Sequence, residues 1–244
     1  MKMELNIVDF YSDVLNIYGD IGNLLCLKKR CQWRDITINQ KCFSIGEDID
    51  LDYEDTDLIL IGGGSDRNQE AIANNFLNQR KYIDSYLDND GVLLAVCGSY
   101  QMFGNNFKNI DGMDINCLEI FDMETIISKD RLIGDIILNS NIELGNDKIV
   151  GFENHGGNSY HDYNTLGIVD IGFGNNKDAV DEGLVFKNFI GTYLHGPLLP
   201  KNPHLADYLI LSALKNKYEI SSLSPLDDSI ESKAHDFMVN KYLS

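Results

Sequence analysis

Nowhere does the chain hold about 18 consecutive apolar residues, so no membrane-spanning helix is expected. Basic residues are scarce: 20 Lys and Arg face 38 Asp and Glu, a formal net charge of −18. Nucleic acid and anionic lipid surfaces both require a basic face, so neither is an expected partner, and direct membrane insertion is not expected either. Proline is rare, with four residues, and no low-complexity tract or internal repeat is visible, which leaves little room for a disordered arm. The five cysteines, at 26, 31, 42, 97 and 117, are odd in number and lack any C-x-x-C spacing. That excludes a disulfide framework and a zinc site, and no metal is expected. The first ten residues are strand-like and contain acids, unlike a signal peptide. A reduced, cytoplasmic protein is the resulting expectation.

What remains is ordinary globular material: 43 % apolar, 24 % charged and 10 % aromatic over 244 residues. A domain of this size buries roughly 70–75 % of its unfolded surface and needs no staples. Residues 3–10 read as a strand. Leu24, Leu27 and Cys31 recur on one side of a helix over 22–34, with Lys28, Lys29 and Arg30 on the other. A β-prone stretch follows at 36–43. The apolar run Asp57-Leu-Ile-Leu-Ile61 stops at Gly62-Gly-Gly64, which marks a buried parallel strand feeding a tight loop. Ser65 caps the next predicted helix, which runs to Leu87 with a break. Gly91–Val96 is a second buried strand, followed by a helix over 98–104. Short strand-like pieces over 118–195 end in Phe189–Leu194, and helices close the chain near 202–217 and 226–242. The alternation predicts an α/β three-layer sandwich with a mostly parallel central sheet, organised as one domain over 1–244.

Ligands bind such sheets outside the carboxyl ends of the strands. The Gly62–Gly64 loop, Cys97 and His195 all fall there. The loop lacks the Lys-Ser/Thr of a P-loop and runs into Asp66, which disfavours phosphate; backbone amides facing a developing oxyanion suit it better. Cys97 stands at a strand-to-helix corner with small neighbours, where a helix N-terminus favours a thiolate. Cys26 and Cys31 read as core residues. A cysteine nucleophile needs a base. His195, stopped by Gly196-Pro197 at a strand end, is the better placed candidate and His155 its rival; His161, His204 and His235 sit in polar contexts and read as exposed.

The segment Cys97-Gly-Ser-Tyr-Gln101 resembles the nucleophile elbow of class I glutamine amidotransferases. Phe152-Glu-Asn-His-Gly-Gly157 and Gly191-Thr-Tyr-Leu-His195 resemble the subgroup related to cobyric acid synthases. Asn16-Ile-Tyr-Gly-Asp-Ile-Gly-Asn23, Ile61-Gly-Gly-Gly64 with Asp66-Arg67, Arg131-Leu-Ile-Gly134 and Thr192–Pro200 are more specifically similar to glutaminase subunits of lipid II isoglutaminyl synthases. The resemblance, over residues 6 to about 210, implies Cys97 as nucleophile and His195 as general base. It further implies Arg131 and Gln101 as glutamine-binding residues, and Gly63, Gly64 and Gly98 as the oxyanion-hole region. It implies no cofactor in this chain, with ATP and Mg on a Mur-ligase-like synthetase partner, MurT. Two other readings stay open: the same amidase chemistry serving a cobyrinate-type synthetase partner, or, from a different class, a non-catalytic binding subunit with this fold. The chain departs from the common elbow in carrying Ala95 and Ser99 where glycines are usual. Pro197 stands where many relatives place an acid that orients the histidine. The expectation is therefore a triad incomplete within this chain, its third member absent or supplied by a partner.

Overall fold

A computed structural model describes residues 2–47, 49–108 and 112–243. In chain order the strands and helices are β1 (Glu4–Phe10), α1 (Ile21–Gln32), β2 (Thr37–Phe43), β3 (Leu58–Ile61), α2 (Asp66–Asn78), α3 (Arg80–Asp88), β4 (Val92–Val96) and α4 (Gly98–Gln101). Then come β5 (Asn106–Lys108), β6 (Asp114–Ile115), β7 (Glu124–Ser140), β8 (Lys148–Tyr160), β9 (Gly167–Ile171), β10 (Asp181–Glu182), β11 (Leu184–Phe186) and β12 (Phe189–Thr192). Helices α5 (Leu198–Lys201), α6 (Pro203–Tyr218) and α7 (Ser229–Leu243) end the chain.

The first sheet runs β11-β12-β4-β3-β1-β2 and is parallel except for β11. Its central strands are apolar throughout because both faces are covered; every residue of β3 and β4 is buried. The crossover through α1 steps outward from β1 to β2, whereas the one through α2 and α3 steps the other way, from β3 to β4. Right-handed crossovers in opposite directions put their helices on opposite faces. The direction reverses between β1 and β3, so a crevice opens at their carboxyl ends. The Asn16–Asp20 turn and the Gly62–Gly64 loop lie there.

The region over 118–195 differs from expectation. Its later part, β9 to β12, is a series of strands of two to five residues as expected, but its earlier part is not. Strands β7 and β8, of 17 and 13 residues, form a long antiparallel pair in a second sheet with β9, β10, β5 and β6. Gly134, Gly151, Gly156 and Gly157 all lie inside these strands. The pair breaks register once: Ile127 faces Gly157 and Leu132 faces His155, so residues 128–131 bulge opposite Gly156 alone. Bulges of this kind re-aim side chains. A two-residue bridge joins the sheets, with Phe152 N–H donating to the His195 carbonyl (3.1 Å) and His195 N–H to that of Phe152 (2.8 Å).

Other corrections follow from the closing helices. Arg30 is buried rather than solvated, held by Asp207 of α6 (Nε–Oδ1 2.6 Å) and by Asp228 (Nη1–Oδ1 2.7 Å). His235 is buried, with Nδ1 3.0 Å from the Lys201 carbonyl, and its ring meets that of half-buried His204 edge-on. Burial, then the proximity of His235, pushes His204 down to about 4. His161 is half-buried against the Tyr100 hydroxyl (3.1 Å), and burial lowers its pKa too. The helix expected over 98–104 is a single turn, α4.

Candidate active site

Cys97, between β4 and α4, has φ +55° and ψ −113°, a conformation side-chain-bearing residues seldom adopt. Its amide donates to the Thr192 carbonyl of β12 (2.7 Å) and its carbonyl accepts from Gln101 N–H (3.1 Å), so the corner is pinned on both sides. Ser99 explains why a glycine is not needed two residues on. Its hydroxyl accepts from Val96 N–H and lies 3.0 Å from the Ile61 and Val96 carbonyls, joining the ends of β3 and β4. Gly98, by contrast, packs closely: a Cβ there would sit 1.8 Å from Gln69 Nε2, and the Gln69 side chain would have to move.

His195 follows β12 and is fully buried. Its Nδ1 lies 3.2 Å from both carboxylate oxygens of Asp20, the residue that precedes α1. The expectation of a triad incomplete within this chain is thus corrected. The carboxylate comes not from the position of Pro197 but from the carboxyl edge of β1, 175 residues earlier in the chain. The sequence carried a sign of it: an acid just before an amphipathic helix, on the same sheet edge as Cys97. Burial disfavours charge on His195, yet the adjoining Cys97 and the Asp20 carboxylate outweigh it and raise the imidazole to about 10.

Gly63 marks the convergence of the three side chains. A Cβ on it would fall 2.7 Å from His195 Cε1, 3.1 Å from Asp20 Oδ2 and 3.1 Å from Cys97 Cβ. Its amide donates to Asp20 Oδ2 (2.8 Å) and so is not aimed at a substrate oxyanion. Of the three glycines expected in the oxyanion region, Gly63 thus has its amide committed to Asp20, which leaves Gly64 and Gly98 as candidates.

A cavity of about 420 Å³ opens beside Cys97. Gln101 lines it, its Nε2 donating to the Tyr193 hydroxyl (3.1 Å). From the β7 bulge come Lys129 and Arg131; Asp66 and Arg67 of α2 complete a charged rim. Arg131 is braced by Asn154, with Nε donating to Oδ1 (2.8 Å) and Nη2 to the backbone carbonyl (2.7 Å). An amino acid with a polar side chain fits this arrangement: cations for its α-carboxylate, Asp66 for its ammonium group, and the thiol at depth.

His155 also reaches the cavity wall, but in another role. Its Nδ1 lies 2.7 Å from the Gly157 carbonyl, and its ring stacks on Tyr193 at 3.7 Å. Its Nε2 faces Glu153 at 3.5 Å. Nothing joins it to Asp20, so the structure separates the rival histidines. Glu182, wholly buried, accepts from Tyr193 N–H (2.6 Å) and Thr192 Oγ1 (2.9 Å), fixing the segment that leads into His195. Sequence reading missed Asp20, Asn154, Tyr193 and Glu182. No group of three or more His, Cys, Asp or Glu among the described residues could hold a metal ion. No helix of the described residues is long and apolar enough to cross a membrane.

Residues 6–203 match the CobB/CobQ-like glutamine amidotransferase domain, and the chain belongs to that family. It is 41 % identical over 239 residues to the lipid II isoglutaminyl synthase (glutamine-hydrolyzing) subunit GatD of Staphylococcus aureus, covering 98 % of this chain and 96 % of that one. The GatD subunit of Streptococcus pneumoniae is 37 % identical over 88 % of this chain and 82 % of its own length. A probable cobyric acid synthase of Methanococcus maripaludis is 32 % identical, but over 59 % of this chain and 30 % of that much longer protein. In fold, the chain resembles a glutamine amidotransferase from Thermotoga maritima with a TM-score of 0.54, at 13 % identity, over 98 % of this chain and 91 % of that one.

Proposed function

We propose that this chain is the glutamine-hydrolysing subunit of a lipid II isoglutaminyl synthase. The observation that carries the reading is likeness along nearly the whole of both chains to a subunit of that name, against a partial likeness to cobyric acid synthases. The site supports it. Arg131 holds the glutamine α-carboxylate, and the side-chain amide reaches down to Cys97. The thiolate attacks the amide carbon while the Gly64 and Gly98 amides receive the oxyanion. His195, oriented by Asp20, gives its proton to the departing ammonia and then takes one from the water that frees glutamate from the thioester.

The ammonia passes to a Mur-ligase-like partner, MurT. That subunit uses ATP and Mg to activate the α-carboxyl of D-glutamate in the lipid II stem peptide, and amidation yields D-isoglutamine. With a net charge of −18, this chain leaves contact with the membrane-bound substrate to the partner, and the complex works in the cytoplasm. The test is co-purification of the chain with a Mur-ligase-like subunit, followed by an assay for glutamine- and ATP-dependent amidation of lipid II. Failure to amidate, with glutamate still released, would leave an amidase with another acceptor. A thiol-reactive glutamine analogue that does not label Cys97 would point to a non-catalytic subunit.

A further inference from the structure

Tyr18 is 41 % exposed, yet its backbone is held at φ +57° and ψ +19°, the left-handed region a bulky residue avoids. Such a conformation persists only where its surroundings enforce it. Three bonds do so: Ile17 N–H donates to the Gly63 carbonyl (3.0 Å), Gly19 N–H to the Asn16 carbonyl (3.3 Å) and Ile21 N–H to Asn16 Oδ1 (2.9 Å). The outcome is a ring laid edge-on over His195, with centroids 5.1 Å apart, and over Phe152 at 5.8 Å. The hydroxyl points the other way and accepts from Asn154 Nδ2. Asn154 is the residue that braces Arg131. One side chain therefore touches the base on one sheet and the brace of the substrate-binding arginine on the other.

We propose that Tyr18 is a positioning residue that couples the two halves of the site; this rests on the amidase reading above. Its hydroxyl fixes the Asn154 amide so that Oδ1 faces Arg131 Nε, which aims the guanidinium at the substrate carboxylate. Its ring covers the His195 face that would otherwise meet solvent. The two parts of the side chain have separable effects. The hydroxyl acts on substrate capture, the ring on the base.

The experiment compares Tyr18→Phe and Tyr18→Ala in the full chain co-purified with its synthetase subunit, measuring glutamate release against glutamine concentration and pH. Tyr18→Phe keeps the ring, so KM for glutamine should rise roughly fivefold or more while kcat falls at most about twofold. Tyr18→Ala should add a fall in kcat of roughly tenfold and a shifted pH profile, because the imidazole gains water. Asn154→Ala should raise KM as well, and adding Tyr18→Phe to it should raise KM little further, since both act on one arginine. An unchanged KM in Tyr18→Phe, or effects of Tyr18→Phe and Asn154→Ala that multiply, would overturn the proposal while leaving the amidase reading intact. Absence of glutamate release and of Cys97 labelling in the wild type would overturn both. Thermal melting of each variant separates these outcomes from loss of folding.

Discussion

Asp20 offers both carboxylate oxygens to His195 Nδ1 at 3.2 Å, and one of them also accepts the Gly63 amide. A carboxylate placed in this way sets the imidazole tautomer and ring orientation, leaving Nε2 for the thiol. Asp20→Asn should therefore lower kcat on the order of 10²–10⁴-fold with little change in KM. The loss should appear equally in the isolated chain and in the complex, measured as glutamate release. A kcat near that of wild type would remove Asp20 from the mechanism.

Cys97→Ser should abolish glutamine hydrolysis and leave the fold intact, because a serine hydroxyl is far less acidic than a thiol. Cys31→Ser is the control. That residue is fully buried among apolar side chains, and burial pushes its thiol up to about 12, so it is inert. Activity should persist there with a stability loss of about 1–3 kcal/mol from the buried hydroxyl. Active-site titration with a thiol-reactive glutamine analogue distinguishes the two variants.

His195→Ala should reduce turnover by several orders of magnitude, as removal of a base does. His155→Ala should act more weakly and through KM. It removes the ring stacked on Tyr193, whose hydroxyl holds Gln101 in the cavity wall. Collapse of kcat in His155→Ala, with His195→Ala still turning over, would reverse the assignment.

How far the sequence revealed all this depends on distance along the chain. Strands such as Leu58–Ile61 and Val92–Val96 were legible because burial on both faces demands unbroken apolar runs, and the corner at Cys97 followed from where such a run stops. The β7–β8 ribbon was not legible, since Gly156 and Gly157 sit in strand for reasons of close packing: a Cβ on Gly157 would meet Gln101 Nε2 at 2.0 Å. Asp20 is not legible because an orienting acid is expected two residues beyond His195, whereas the fold delivers it from the first crossover. Arg131 came from resemblance alone. Only the register break opposite Gly156 shows why an arginine there reaches the cavity.

Glu182 gives a pH test. Burial raises its carboxyl from an ordinary 4.5 to about 8, against the pull of Tyr193 N–H and Thr192. Between those values the folded chain keeps a proton that the unfolded chain has released. Its contribution to stability therefore falls as pH rises from about 4.5 to about 8, by at most about 1.4 kcal/mol per pH unit. Glu182→Gln cannot titrate, so urea midpoints measured across that window should show a shallower decline than wild type. Parallel curves would mean that Glu182 is ionised throughout.

The bridge between Phe152 and His195 makes the molecule a calliper. One jaw, the parallel sheet, carries the thiol, the imidazole and their carboxylate; the other, the β7–β8 ribbon, carries Arg131, proposed above to hold the far end of the substrate. The cavity of about 420 Å³ lies between the jaws. Because His195 itself is the rivet, through its own backbone, any change in the jaws' angle tilts the base as well as the grip. On the amidase reading proposed above, a glutamine homologue one methylene shorter or longer should therefore be penalised twice, once by where its amide falls against Cys97 and once by the stance of the imidazole proposed to protonate it.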